Sequence, residues 1–369
     1  MSRRLDFHEI VSGRRTGIGA ASARGLLRLA EAPYTFAVRY RNRRYDRDHT
    51  AIHRVGVPVV SVGNLTLGGT GKTPMVKWLA RWFGARGMRV AIVSRGYGAA
   101  AGQQNDEALE LAQALPGVVQ VQNPDRVAGA EQAITEFGSQ LILLDDGFQH
   151  RRLARDLDIV LLDATEPFGF GHVFPRGKLR EPIEGLRRAD AVCLTRTDLV
   201  DQSVRALVRA RVAALAPQAA WCEAAHAPRG LINASGGTQS LAALDGARIA
   251  AFCGIGNPSA FRRALDGAGA QIIAWKQLPD HHRYTEVDQT DLAAAAEAAG
   301  AELLVCTHKD LVKLSSDQLC GRPLWALAIE MQILAGANEL ERAMQHVADS
   351  MAGTSRGENT DDATVLNRG

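Results

Sequence analysis

Long apolar runs are missing from this chain of 369 residues, and so is any segment that would cross a membrane. A spanning helix needs roughly 18 to 20 consecutive apolar residues, whereas the best candidate, Leu26 to Val38, is broken by Arg28, Glu31 and Pro33. The first residues also lack a signal-peptide core with a cleavage site, so the expectation is a soluble body that touches a membrane without crossing it. Cysteine is scarce. Cys193, Cys222, Cys253, Cys306 and Cys320 are odd in number, far apart and never spaced C-x-x-C, which argues against a disulfide framework or a structural zinc site and for a reducing, cytosolic setting. Lysine is absent from residues 1–54, where twelve arginines face five acids for a net +7. The rest of the chain is −4, because the whole is only +3. Such a local excess points to an anionic surface as partner, membrane headgroups or nucleic acid, and says nothing about fold.

Hydrophobic residues at 46% and charged residues at 22% are an ordinary globular balance, and the length favours two cores over one. From Val57 onward β-branched runs alternate with helical patterns, as in a mostly parallel sheet covered by helices. Strands are expected at Val57–Val62, Arg89–Ser94, Gln140–Asp145, Asp158–Asp163 and Ala191–Thr195, with helices at Pro74–Arg86, Asp106–Leu115, Asp125–Phe137 and Ser203–Leu215. The Pro, Gly, Asn and Ser content of His226–Gly237 reads as a linker or long loop. Beyond it, strands at Arg248–Cys253, Gln271–Ala274, Leu303–Thr307 and Leu324–Ile329 and helices at Ser259–Asp266 and Asp288–Ala299 suggest a second unit. The expected organisation is a basic segment 1–54, a P-loop domain 55–225, a smaller α/β domain 226–349 closing a cleft, and a loose polar tail 350–369.

The strongest motif is a strand from Val57 running into Gly68-Gly69-Thr70-Gly71-Lys72-Thr73-Pro74 and then a helix, the context of a P-loop NTPase. Gly68, Gly69 and Gly71 let the backbone bend so that its N–H groups face phosphate oxygens at a helix start. Lys72 is expected to reach the β- and γ-phosphates and Thr73 to offer its hydroxyl to magnesium. The first glycine of the G-x-x-x-x-G-K-[ST] pattern falls on Thr66, so the strict pattern fails. Two weaker glycine turns carry less: Gly17-Ile18-Gly19 follows no strand, and Gly254-Ile255-Gly256 reads as an ordinary turn between a strand and a helix.

Leu141 to Asp146 ends an apolar strand in two carboxylates, where a P-loop protein holds magnesium or its water; Asp146 reads equally well as the cap of a turn before Gly147. Asp163 ends another apolar strand. Asp106 precedes a helical pattern and reads either as a helix cap or as a base beside the crevice. Asp280-His281-His282-Arg283-Tyr284 is by default a surface loop, and Arg180-Glu181 either a solvated or an active-site pair.

Taken together with Gly63-Asn64, Ser94 to Gly98, Asp145 to His150, the Pro175, Gly177, Leu179 to Pro182 spacing, Gly254 to Pro258, Pro279 to His282 and Lys309-Asp310, the loop resembles the tetraacyldisaccharide 4'-kinase family from about Val57 to Lys313. The resemblance implies transfer of the ATP γ-phosphate to the 4'-hydroxyl of an acylated glucosamine disaccharide 1-phosphate in lipid A synthesis, at the cytoplasmic face of a Gram-negative inner membrane. It implies ATP and Mg2+, phosphate contacts at Gly68 to Thr73, and Asp145, Asp146 and Gln149 with Thr73 on the metal side. It carries the family's base onto Asp106, next to Glu107, with support from His281, although Asn105 and Ala108 depart from the family's Gly-Asp-Glu-Pro. Arg126 and Arg180, beside Glu181, become phosphate partners. The arginines of residues 1–54, interleaved with Tyr34, Phe36, Tyr40 and Tyr45, suit a peripheral or monotopic contact with anionic lipid. No nucleic acid and no obligate protein partner is expected.

The rival reading is a P-loop GTPase or metallochaperone-like switch, because Thr195-Arg196-Thr197-Asp198 ends a strand where a guanine-reading Asn-Lys-x-Asp belongs. Both the Asn and the Lys are replaced, and no Asp-x-x-Gly switch follows Asp146.

Overall fold

The computed structural model describes residues 7–48, 52–96 and 106–357. Tyr97, Gly98 and Asn105, named above, and the tail beyond Gly357 lie outside the described residues. The elements in chain order are α1 (Phe7–Val11), α2 (Ile18–Arg47), β1 (Val59–Asn64), α3 (Lys72–Gly84), β2 (Val90–Ser94), α4 (Asp106–Ala114), β3 (Val119–Gln122), α5 (Arg126–Thr135), β4 (Leu141–Asp145), β5 (Leu157–Asp163), β6 (Ala191–Thr195), α6 (Gln202–Leu215), β7 (Ala220–Ile232) and β8 (Thr238–Ser240). They continue with β9 (Arg248–Cys253), α7 (Pro258–Gly267), β10 (Gln271–Gln277), α8 (Glu286–Ala298), β11 (Leu303–Thr307), α9 (His308–Leu314), β12 (Gln318–Leu319), β13 (Arg322–Ala335) and α10 (Ala337–Gly357).

One sheet runs through the described strands in the order β10-β9-β11-β13-β7-β6-β5-β1-β4-β2-β3, with β12 on β13 and β8 on β7. It is parallel on both flanks. The two flanks meet at the antiparallel pair β7 and β13. Central strands are buried on both faces, β1 along its whole length, which is why they read as unbroken apolar runs. Helices cover both faces: Met75, Leu79 and Phe83 of α3 pack over β1, β4 and β5 on one side, and Val127, Ala130 and Ala133 of α5 on the other.

Three expectations are corrected. His226–Gly237 is not a linker as a whole, because β7 continues through it to Ile232; the expected boundary at 225/226 falls inside that strand. Pro228 is accommodated where the β7–β13 register shifts, opposite Ile329, the irregular position a strand proline requires. The loose tail expected from residue 350 is helical as far as Gly357. Its helix α10 lies late in the chain, yet Leu340, Met344 and Val347 pack into the same core as Phe83 and Leu157. The later elements also bury clusters of their own, around Phe252 with Leu304 and Ile249 with Leu327, so the end of the chain returns to the first core after building the others.

Among the described residues, no helix is long and apolar enough to cross a membrane. The basic segment is mostly the 30-residue α2, with Pro33 inside it.

Candidate active site

The loop between β1 and α3 is held from three sides. Asn64 donates its side-chain amide to the Thr66 carbonyl at 2.8 Å, Thr195 donates its hydroxyl to the Thr70 carbonyl at 2.9 Å, and the backbone N–H groups of Leu67 and Arg180 donate to the Lys178 and Leu65 carbonyls, each at 2.7 Å. Gly71 caps α3 in the left-handed region at φ 93°, and a Cβ there would lie 2.2 Å from Nε2 of His226. Glycine is therefore required at this position by conformation and by space. The same loop borders a cavity of about 600 Å³ whose walls include Lys72, Thr73, Glu107, Asp198, His226, Phe261 and Lys309.

The turn after β4 lies against β1 so closely that a Cβ on Gly63 would stand 2.5 Å from Phe148. This packing brings Asp145 and Asp146 beside the loop. Asp145 is buried, and its Oδ1 has no protein partner. Burial pushes its pKa up to about 7, the charges of Glu107 and Asp146 add to the rise, and Lys72 opposes it. Asp146 has φ 55°, an unusual conformation for a non-glycine residue and one that Asp tolerates better than most. Arg180 donates to both of its oxygens at 2.8 Å and Lys72 lies at 3.5 Å. Burial would raise this carboxyl, but the two cations bring it below the ordinary value.

Glu181, fully buried, accepts from Gln149 at 3.0 Å, from Arg188 at 2.9 Å and from Asn42 of α2 at 2.8 Å. The Arg180-Glu181 neighbours thus do separate things: Arg180 faces Asp146, and Glu181 anchors Gln149, which also donates to the Asn64 carbonyl at 2.9 Å. Arg126 is buried near Asp145 and Asp146 with its Nε unpartnered.

Asp106 is the first residue of α4. Its Oδ2 lies 3.2 Å from Nδ1 of His281 and 3.1 Å from Nζ of Lys313. Burial pushes the carboxyl up, but both hydrogen bonds and both charges outweigh it, and the pKa falls below the ordinary value. Asp106 is thereby an ionised carboxylate at neutral pH. His281 sits at φ 57° in the loop after β10, so two distant stretches of chain converge here. Glu107 pairs with Lys309 at 3.1 Å.

Sequence reasoning did not single out Lys313, whose only signal was its four-residue spacing from Lys309. Nor did it find His226, half-buried, whose Nε2 is buried without a partner and whose pKa is pushed down to about 4 by burial and by Arg196. The segment from Thr195 to Asp198 does border the cavity, but Thr195 is spent on the loop and Arg196 on an ion pair with Asp163.

The unpartnered buried Thr70 hydroxyl and Asp145 oxygen, with the glycine cradle, fit a phosphate chain and its cation. Among the described residues no group of three or more His, Cys, Asp or Glu side chains stands ready to hold a metal. The oxygen donors Thr73 and Asp145 suit magnesium, which is typically bound through one or two carboxylates plus phosphate oxygens and water.

A strand, a glycine-rich turn, a lysine opening a helix and carboxylates on the next strand define a P-loop type α/β phosphotransferase. Residues 23–349 match the family model of tetraacyldisaccharide-1-P 4'-kinase. A tetraacyldisaccharide 4'-kinase of Anaeromyxobacter sp. strain Fw109-5 is 40% identical over 349 residues, covering 90% of this chain and 94% of its own. The one from Geobacter sulfurreducens is 38% identical over 360 residues, covering 92% and 98%. The crystal structure of LpxK from Aquifex aeolicus in complex with ATP superposes with a TM-score of 0.71 at 28% identity, covering 88% of this chain and 99% of that one. The chain belongs to the tetraacyldisaccharide 4'-kinase family, phosphotransferases with an alcohol acceptor that act in lipid A biosynthesis.

Proposed function

We propose that this protein transfers the γ-phosphoryl group of ATP to the 4'-hydroxyl of a tetraacylated glucosamine disaccharide 1-phosphate, with Asp106 accepting the hydroxyl proton. The observation that carries the reading is the ionised Asp106, held by His281 from another part of the chain beside a P-loop cavity. Phosphoryl transfer asks a protein mainly for positioning and charge neutralisation. Gly68, Gly69, Thr70 and Gly71 wrap the phosphates, Lys72 neutralises them, and Arg180 and Arg126 supply further positive charge. Thr73, Asp145 and Asp146, with Gln149 beside them, would hold magnesium, which would supply charge neutralisation of the phosphates. Asp106 takes the proton as the acceptor oxygen attacks the γ-phosphorus and the bond to the β–γ bridging oxygen breaks, ADP leaving with that electron pair, and His281 orients the carboxylate. Glu107, paired with Lys309, lines the same cleft, which the β9 to β11 elements close.

The protein acts at the cytoplasmic face of the inner membrane, bound peripherally through α2. Ile18, Leu26, Leu29, Phe36 and Tyr40 are exposed at spacings of three to four residues or their multiples, an apolar stripe among arginines.

The test is single-turnover transfer by Asp106→Asn, Asp106→Ala, His281→Ala and the double alanine variant, alongside thermal stability. Asp106→Asn should lose at least about 10²-fold in rate at unchanged Tm, since the amide keeps shape but accepts no proton. The double variant should lose no more than about the worse single one, because residues acting as a unit do not add. Mild, additive losses would remove the pair from the chemistry.

A further inference from the structure

Among the described residues, the partners of Asp106 all gather at one oxygen. Both His281 and Lys313 reach Oδ2, and among the described residues no hydrogen bond goes to Oδ1. Lys313 is itself firmly held. It sits one turn beyond Lys309 on the short helix α9, whose start is fixed by Thr307, with its hydroxyl donating to Oδ2 of Asp310 at 2.6 Å and accepting from the Asp310 N–H at 3.3 Å. Asp310 also accepts the Gly254 N–H at 3.1 Å, which ties α9 to the turn after β9. Two lysines at i and i+4 share a helix face, and they meet the adjacent carboxylates Glu107 and Asp106 in register. The side chain of Lys313 is nearly buried, at 10% exposure, so its charge acts on Asp106 with little screening.

Resting on the reading of Asp106 as the base, we infer that Lys313 is a positioning residue for it: its ammonium fixes the carboxylate by Oδ2, keeps it ionised, and leaves Oδ1 to receive the proton of the acceptor hydroxyl. The charged groups on Asp106 are His281 from the loop after β10 and Lys313 from α9; Glu107, next on its own helix, is paired with Lys309, which also feels Asp280, and Asp310 lies behind Lys313. Oδ1 of Asp310 lies 3.8 Å from Lys313, farther than the 3.1 Å to Oδ2 of Asp106, so it moderates the lysine's charge without displacing that contact. An opposite charge this close lowers a carboxyl pKa by about 1 to 3 units. Removing it returns the base toward protonation in weakly acidic solution.

The experiment compares wild type, Lys313→Met, Lys313→Arg, Lys313→Gln and Asp106→Asn in single turnover from pH 5.5 to 8.5, with ATP affinity and Tm measured in parallel. Protonation of ATP affects all variants alike and cancels in the ratio to wild type. Lys313→Met should move the acid limb upward by about one unit or more and lower the rate at pH 8 by about tenfold, with ATP affinity within about threefold. Lys313→Arg should return the limb to within about half a unit of wild type. Lys313→Gln keeps a donor without the charge and should resemble Lys313→Met, which secures the result if the methionine variant folds poorly. In the nucleotide-free protein, carboxyl NMR of Asp106 should show the same upward shift. An unmoved limb in Lys313→Met and Lys313→Gln, with Asp106→Asn inactive, overturns this inference alone. An active Asp106→Asn overturns the base reading and this inference with it.

Discussion

Burial sets Asp145 apart from its neighbour. Asp146 shares the turn but has Lys72 and Arg180 on its oxygens, whereas Asp145 has one oxygen with no protein partner and a pKa of about 7. A carboxyl whose folded pKa exceeds its unfolded value holds a proton in the native state that the unfolded chain has released. Its contribution to stability is present below about pH 4 and is lost as pH rises to about 7. Nucleotide-free Asp145→Asn should therefore gain on wild type as pH rises from 4 to 8, by on the order of 4 kcal/mol at the upper end. Thermal melts of both proteins across that range check it; a difference independent of pH would mean that Asp145 is ionised throughout. The sequence supplied the pair of aspartates at a strand end. It could not supply their division of labour, which depends on Arg180 arriving from thirty-four residues downstream.

At the scale of elements, the legible parts were those whose signal is local. The P-loop strand and helix, the apolar runs of β4, β5 and β6, and helices α5 and α8 all announce themselves within a dozen residues, although their starts were read as Asp125 and Asp288 where Asp125 and Thr285 are the caps. What escaped depends on partners. The whole of β7 went unread, and its length comes from antiparallel pairing with β13, a hundred residues away, against its own Pro228 and Gly230. The edge strand β3 is four residues long, too short for a periodic signal. Helix α2 gave its charge but not its continuity, since Pro33 argued for a break. Its exposed stripe carries a prediction. Leu29→Glu with Phe36→Glu, both more than 70% exposed, should leave Tm unchanged and weaken binding to anionic vesicles by at least about tenfold. Added salt should weaken the wild type as well. Vesicle sedimentation measures both, and undiminished binding by the double variant would place the membrane contact elsewhere.

For the whole molecule, the question is what makes a phosphate loop and a base, built on different helices, keep a fixed relation. Lys77 of α3 and Glu110 of α4 form a buried ion pair at 2.6 Å. Nδ1 of His308, the first residue of α9, lies 3.7 Å from the same Glu110 oxygen. Oε1 of Gln113 accepts from Nε2 of His308 at 2.9 Å, and the Gln113 amide nitrogen donates to the carbonyls of Asn233 and Ala234 beyond β7. The pair thus lies where the P-loop helix, the base helix and the later elements meet. Burial pushes the Glu110 carboxyl up, yet the charges of Lys77, His308 and Lys309 bring it below its ordinary value; its contribution is present above about pH 4.5 and lost as pH falls. Such pairs are costly to break from one side, because the remaining charge is stranded, and often nearly neutral to replace from both. Glu110→Leu alone should cost about 3 to 5 kcal/mol, and Lys77→Met with Glu110→Leu much less, by at least about 2 kcal/mol. Urea denaturation of the two single variants and the double one measures the coupling. Phosphoryl transfer by the double variant then separates two roles: if stability recovers and the rate stays low, the ion pair sets the distance between loop and base; if both recover, apolar packing there sets it equally well.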